Sequence, residues 1–112
     1  MIRTGIAAAL LAAALPAAAH MGDCTRQDGV RKARCERHEV MYKKCGPLKG
    51  DAHFACDREF LLASPLKCES FSGSDAEACN KEVAAFRTCE PNPGIEFMRC
   101  VRKTAGESPM GH

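Results

Sequence analysis

Four segments of this chain share the pattern C-x4-G-x5-C, and this repeat restricts the fold more than any other feature of the sequence. The repeated segments run from Cys24 to Cys35, from Cys45 to Cys56, from Cys68 to Cys79 and from Cys89 to Cys100. Their central glycines are Gly29, Gly50, Gly73 and Gly94. Two cysteines, one glycine and a following helix-forming segment recur together each time, so each unit is interpreted as one loop followed by one helix.

The start of the chain is typical of an export signal. Arg3 provides a positive charge, an apolar run extends from Ile6 to Leu15, and small residues lead to a cleavage site that we place after Ala19. The apolar run is too short for a membrane anchor, which needs about 20 residues. We therefore predict a signal peptide at 1–19, a folded domain at 20–104 and a flexible tail at 105–112.

All eight cysteines follow the predicted signal peptide. An even number of cysteines in a short exported chain indicates a disulfide framework, because an oxidising compartment forms and keeps such bonds. With one tyrosine, five phenylalanines and no tryptophan, the chain has a thin apolar core, and small cores often need covalent staples. We expect a periplasmic or secreted protein without a transmembrane segment in its mature part.

The segments between the repeats predict an all-α fold, a small array or irregular bundle of four short helices without strands. We place the helices at 29–44, 51–63, 74–88 and 94–104, with Asp51, Ser74 and Asp75 as helix caps or first-turn residues. Apolar spacing predicts one buried face on each of the two middle helices. These faces comprise Ala52, Ala55, Cys56, Phe60 and Ala63 on the second helix, and Ala76, Cys79, Val83 and Phe86 on the third.

Helical geometry restricts how the cysteines pair. If Cys35 and Cys45 lie on one helix, they are about 15 Å apart, beyond the reach of a disulfide. Within each repeat the glycine can adopt a positive φ and turn the loop back, which brings the first cysteine close to the second. We predict four local bonds, Cys24 with Cys35, Cys45 with Cys56, Cys68 with Cys79 and Cys89 with Cys100. The alternative pairs Cys35 with Cys56 and Cys79 with Cys100, and it fits the 44-residue super-repeat equally well.

Charge and cysteine spacing argue against several classes of function. Once Arg3 is removed with the leader, the net charge is +1 and both signs are interspersed, which gives no basic stripe for nucleic acid. The cysteines lack the short spacing of zinc sites and the C-x-x-C motif of redox proteins. The charged residues of the helices, including Glu82, Asp57 and the basic residues of the first helix, are interpreted as solvated surface. We expect no cofactor and no enzymatic activity.

The histidines offer one alternative function. His38 and His53 lie among charged or polar neighbours, and we expect solvated helix faces there. Cleavage after Ala19 would make His20 the mature N-terminus, where its amine and imidazole form a chelating pair that copper favours. Met21 and His112, together with Met110, could add ligands from the two ends of the chain. Periplasmic copper binding is therefore the alternative function.

Two short motifs carry a resemblance to a known family. LKGD, from Leu48 to Asp51, precedes a cysteine, and FMRC ends at Cys100; both resemble pieces of the PsiF-repeat family. The interval from LKGD to the next cysteine is shorter here than in that family. More broadly the chain looks like cysteine-rich exported proteins of proteobacteria whose units read C-x4-G-x5-C. The resemblance implies a periplasmic, helical, disulfide-stapled protein, and it implies no functional residues.

These observations together favour an exported protein with a binding or structural role in the cell envelope. A rigid, stapled surface of mixed charge suits an interaction module, and the staples would protect it in an exposed compartment. The expected partner is a protein or another component of the envelope.

Overall fold

The computed structural model describes residues 23–106 and has four α-helices. They are α1 (Gly29–Cys45), α2 (Gly50–Ala63), α3 (Gly73–Cys89) and α4 (Gly94–Ala105). Short 3-10 turns, Cys24–Arg26 and Cys68–Ser70, precede α1 and α3. No strand occurs between residues 23 and 106. The all-α prediction is confirmed, and each helix boundary lies within one residue of the predicted one; the predicted signal peptide lies outside the described residues.

Four local disulfides connect the start of each repeat to its end, and the predicted pairing is confirmed. The bonds join Cys24 to Cys35, Cys45 to Cys56, Cys68 to Cys79 and Cys89 to Cys100. Their Cα atoms are 5.5 to 5.7 Å apart, in the range that a disulfide requires. The alternative that closes helical hairpins through Cys35 and Cys56 is therefore wrong.

Each helix begins at the central glycine of its repeat. In α3 the chain is extended at Ser72, with φ −138°, and Gly73 then takes φ +58°. The left-handed glycine reverses the chain, so Cys68 returns to Cys79 on the second turn of the helix. Gly29, Gly50 and Gly94 likewise have φ between +43° and +58°. The loop reversal that the sequence suggested is therefore the geometry of all four units.

The helices begin without side-chain caps, contrary to one option for Asp51, Ser74 and Asp75. The residues before the glycines are Asp28, Lys49, Ser72 and Pro93, and none of their side chains accepts a capping hydrogen bond. Asp51 and Asp75 lie inside the first turn instead, where a carboxylate interacts favourably with the helix dipole. The disulfide fixes the start of the helix, and this reduces the need for a cap.

Two helical hairpins form the bundle, and a shift of 44 residues in sequence relates one to the other. The first hairpin is α1 with α2, and the second is α3 with α4; α1 and α3 both have 17 residues. Between the hairpins α2 packs on α4 and α1 packs on α3. Each helix thus packs against its counterpart in the other hairpin. Residues 44 positions apart occupy corresponding positions in the two hairpins.

A small apolar core fills the junction of the helices. It contains Met41, Cys45, Leu61, Ala85, Phe86, Cys89, Phe97, Met98, Val101 and Ala105. The predicted face of α2 is only partly correct: Cys56 and Phe60 pack against the core, but Ala52, Ala55 and Ala63 are exposed. The buried residues of that helix are Asp57 and Leu61. On α3 the predicted Cys79 and Phe86 are buried, but Glu82 takes the place expected for Val83.

The glycine that starts α3 gives a test of the loop geometry. A Cβ added at Gly73 would meet no atom within 4 Å, so Gly73→Ala costs only the left-handed backbone. We expect the free energy of unfolding to fall by about 1–2 kcal/mol, measured by urea denaturation. The control Ser74→Ala, one residue on in the same exposed turn, should stay within about 0.5 kcal/mol of wild type. Equal stability of Gly73→Ala and Ser74→Ala would contradict the left-handed conformation.

Candidate functional site

Four charged side chains are buried between the helices, where the sequence pattern had placed them in solvent. They are Arg34 and Arg37 on α1, Asp57 on α2 and Glu82 on α3. The prediction of solvated faces is wrong for these four residues. The cause is pairing between helices: Arg37 and Glu82 are 45 residues apart, and their interaction is not visible in the sequence of either helix.

Glu82 lies between the two arginines of α1. Its carboxylate accepts two hydrogen bonds from the Arg37 guanidinium, Nη1 to Oε1 and Nη2 to Oε2, each 3.0 Å long. Arg34 Nε is 3.2 Å from Oε2, and Arg34 Nη2 donates to the Ala78 carbonyl at 3.4 Å. The Glu82 side chain is only 2% exposed. This Arg34–Glu82–Arg37 cluster, which we call the charge cluster, joins α1 to α3 through bidentate geometry.

Aromatic rings continue from the charge cluster into the core. The Arg37 guanidinium lies 5.8 Å from the centroid of the Phe86 ring, and Phe86 packs on Phe97 at 5.7 Å. On the far side the Arg58 guanidinium lies 5.8 Å from the Phe97 ring. Two cations thus flank an aromatic pair, an arrangement in which the ring faces attract the positive charges. This stack connects all four helices.

Arg58 also closes the loop between α3 and α4. Its Nε donates to the Asn92 carbonyl at 2.9 Å, and its Nη2 donates to the Glu90 carbonyl. Arginine suits this position because its fork of N–H groups reaches two carbonyls that the end of a helix leaves unpaired. The side chain therefore fixes the second hairpin against α2.

His53 and Asp57 form a second polar pair, one turn apart on α2. His53 Nε2 is 3.2 Å from Asp57 Oδ2, and His53 Nδ1 is 2.9 Å from the Cys45 carbonyl oxygen. Asp57 is 2% exposed and His53 is 30% exposed, so the imidazole connects a buried carboxyl to solvent. The expected solvated face for His53 is therefore only partly correct. The spacing of four residues between the two was visible in the sequence and could have indicated this pair.

The hydrogen bond to Cys45 orients the His53 ring. A carbonyl oxygen can only accept, so His53 Nδ1 donates to Cys45 and Nε2 is turned toward Asp57. Nε2 lies 3.2 Å from Asp57 Oδ2, but Oδ2 has no partner in hydrogen-bond geometry. The buried carboxyl therefore meets the imidazole at short range without a well-formed hydrogen bond.

Comparison of the two hairpins shows that the fold does not require this polar pair. The residues 44 positions later are Phe97 and Val101, both fully buried core residues. Two buried apolar side chains therefore occupy the corresponding positions in the second hairpin. His53 and Asp57 depart from the repeat at a point where burying a carboxyl is costly. This departure makes the His53–Asp57 pair a candidate functional feature.

The acidity of Asp57 reflects its position. Burial raises the pKa of the Asp57 carboxyl above its ordinary value, and the neighbouring His53 charge opposes part of the rise.

A surface hollow near the start of α2 and α4 brings two further carboxylates together. Asp51, Ala55, Pro93, Gly94, Ile95 and Glu96 line it. Both carboxylates are exposed, and Glu96 pairs with Arg99 at 3.1 Å. General acid and base catalysis uses carboxyl groups held in a desolvated cleft, whereas the side chains of Asp51 and Glu96 are exposed to solvent.

The predicted copper ligands are not among the residues that the structure describes. His20, Met21, Met110 and His112 lie outside the described residues, so the copper site stays a prediction. All eight cysteines are in disulfides, which removes them as metal ligands or nucleophiles. Within residues 23–106 no group of three or more His, Cys, Asp or Glu side chains is placed to hold a metal ion.

Comparison with known proteins finds no matching family model, no significantly similar curated protein and no significantly similar solved structure. The resemblance of LKGD and FMRC to the PsiF-repeat family stays a prediction.

The charge cluster should be sensitive to loss of its carboxylate. Glu82→Gln leaves two buried guanidiniums facing a neutral amide, and we expect a loss of about 3–5 kcal/mol in the free energy of unfolding. Glu77→Gln, on an exposed part of the same helix, is the control and should change stability by less than about 0.5 kcal/mol. Urea denaturation of both variants measures the difference. A Glu82→Gln protein as stable as the control would show that the cluster does not hold α1 on α3.

The raised pKa of Asp57 predicts a dependence of stability on pH. Between its ordinary pKa of 3.8 and the raised native value, the folded protein binds more protons than the unfolded one, so the contribution of Asp57 to stability falls as the pH rises. Asp57→Asn removes this contribution. The stability of Asp57→Asn relative to wild type should therefore improve as the pH rises from about 4 through the native pKa.

Urea denaturation across that pH range measures the effect, with Asp51→Asn as the control for loss of an exposed carboxylate from the same helix. A relative stability of Asp57→Asn that falls with rising pH would contradict a raised pKa of the buried carboxyl.

Proposed function

We propose that this chain is an exported, disulfide-stabilised protein with a binding or structural role in the cell envelope and without catalytic activity. The observation that carries the proposal is the use of every cysteine in a local disulfide that fixes the start of a helix. Such a framework needs an oxidising compartment to form and to persist. The export signal predicted at 1–19 would deliver the chain to such a compartment.

The energetics of the staples agree with this role. A disulfide that closes a loop of this length stabilises a protein by about 3 kcal/mol, through the restricted unfolded chain. Four such bonds hold the helix starts, where isolated helices would otherwise fray. The resulting surface is rigid and resists local unfolding, which is the step that admits proteases. A rigid surface also loses little entropy when it binds a partner.

The buried charges support a structural interpretation of the interior. The guanidiniums of Arg34 and Arg37 contact the Glu82 carboxylate, and that of Arg58 donates to the Asn92 carbonyl. These contacts fix how the hairpins sit together. We therefore place the binding surface on the outside of the bundle. The expected partner is an envelope protein or another envelope component.

No helix between residues 23 and 106 has the length and apolar character needed to cross a membrane.

The state of the protein in its host cells tests the proposal. We expect the mature chain to begin at His20 and its intact mass to be lower than that of the reduced chain by eight hydrogens, one for each cysteine. Mass spectrometry after alkylation without reductant measures both. Replacement of Leu10 and Leu11 by Arg should block export, leaving the leader attached and the thiols reactive. Reactive thiols in the wild-type protein, or an uncleaved leader, would overturn the proposal.

A further inference from the structure

One corner of the bundle carries exposed apolar side chains among lysines. Between residues 23 and 106 the exposed large hydrophobic residues are Val40 at 56%, Tyr42 at 45% and Leu48 at 42%. All three lie where α1 ends and the chain turns into α2. The same stretch carries exposed lysines at 43, 44 and 49, and no acidic residue lies between residues 40 and 50. Exposed apolar residues gathered in one place mark an interaction site more often than scattered ones do.

Helical spacing separates these residues into two sides. Val40, Lys43 and Lys44 are three and four residues apart and share one side of α1. Leu48 and Lys49 follow in the turn after the helix ends at Cys45. Tyr42 lies on another side of the helix, with its ring 6.5 Å from that of His38. We define the corner surface as the three residues on the first side of α1 together with the two residues of the turn. They are Val40, Lys43, Lys44, Leu48 and Lys49.

The corner surface is held in place by the fold. Cys45, at the end of α1, is bonded to Cys56 on α2. The Cys45 carbonyl accepts a hydrogen bond from the Leu48 backbone N–H at 3.0 Å and a second from His53 Nδ1. These bonds fix the tight turn that presents Leu48 and Lys49. Little conformational entropy is therefore lost when the turn meets a partner.

The second hairpin shows that the fold itself does not need these side chains. The residues 44 positions after Val40, Lys44, Leu48 and Lys49 are an alanine, a threonine, an asparagine and a proline at 84, 88, 92 and 93. Only Lys43 keeps a basic counterpart, at 87. The equivalent corner thus forms without large exposed aliphatic side chains and with less positive charge. The composition of the corner surface is accordingly a property of the first hairpin alone.

We propose that the corner surface binds the anionic headgroup surface of a phospholipid bilayer. The lysines require an anionic partner, and the exposed Val40 and Leu48 require an apolar one. A bilayer surface offers both, since lysines contact the headgroups while apolar tips enter the interface. The surface hollows found in the described part of the bundle do not include the corner surface, whereas an acidic peptide would need a groove to bind. This proposal rests on the envelope role proposed above.

Neighbouring charges bear on the strength of the contact. Glu36 and Glu39 lie one helical turn before Val40 and Lys43, on the same side of α1, and Asp51 follows the corner surface at the start of α2. They lower the attraction of the bundle as a whole for an anionic bilayer. Binding should therefore be modest, and it should depend on salt because the lysines are exposed.

Vesicle sedimentation with the purified, oxidised protein tests the proposal. We expect binding to phosphatidylcholine vesicles that contain phosphatidylglycerol and little binding to phosphatidylcholine alone. Each lysine near such a surface contributes about fivefold in affinity, so Lys43→Gln, Lys44→Gln and Lys49→Gln combined should lose about 100-fold. Val40→Ser with Leu48→Ser keeps the charge and should lose about tenfold.

The matched control removes the same charge elsewhere. Lys67→Gln, Arg102→Gln and Lys103→Gln combined change exposed residues away from the corner surface and should retain most of the binding. Equal loss in this control, or no binding to phosphatidylglycerol, would overturn the proposal. Inhibition by soluble polyglutamate as strong as that by competing vesicles would assign the surface to acidic proteins instead and would also overturn it. Because purified protein is used, these outcomes are independent of export and thiol state in cells.

Discussion

The local disulfide around a left-handed glycine is the constraint on which the rest of this structure depends. The bond joins two cysteines that are 11 positions apart in sequence. The first cysteine lies before the glycine, and the second lies on the second turn of the helix. The bond can close only if the backbone reverses at the glycine, and a residue with a Cβ pays a conformational cost there. Each unit therefore sets its own helix start without help from distant residues. A chain with few large apolar side chains obtains four defined helices in this way.

The way in which the units pack depends on different forces. The apolar core is small, and arginines supplement it: Arg37 reaches Glu82 between α1 and α3, and Arg58 reaches the loop between α3 and α4. The two hairpins repeat one backbone plan but differ in side chains. His53 and Asp57 stand where Phe97 and Val101 complete the core of the second hairpin. His53 and Leu48, a residue of the corner surface, both hydrogen-bond to the Cys45 carbonyl. The residues in which the first hairpin differs from the second therefore meet at the end of α1.

Local features were predictable from sequence, and features that join distant segments were not. The recurring glycine and cysteines predicted the helix starts and the pairing of Cys24 with Cys35 and its counterparts, because both depend on residues within one repeat. The buried faces of α2 and α3 were predicted only in part, since apolar periodicity could not indicate that Asp57 and Glu82 find partners in the interior. The His53–Asp57 pair was within reach of a helical spacing argument. The Arg37–Glu82 contact was not, because it depends on how the hairpins pack.

Mapping of the disulfides in the oxidised protein tests this account most directly. Trypsin cuts between neighbouring cysteines, at Arg37 and Lys43 between Cys35 and Cys45 for example, except between Cys68 and Cys79, where no lysine or arginine occurs. The local bonds of the other three units each join two peptides, and the Cys68–Cys79 bond lies inside the single peptide from Cys68 to Lys81. Mass spectrometry without reduction should find Cys24 with Cys35, Cys45 with Cys56, Cys68 with Cys79 and Cys89 with Cys100. A peptide pair that links Cys35 to Cys56, or Cys79 to Cys100, would contradict the claim that each unit closes on itself.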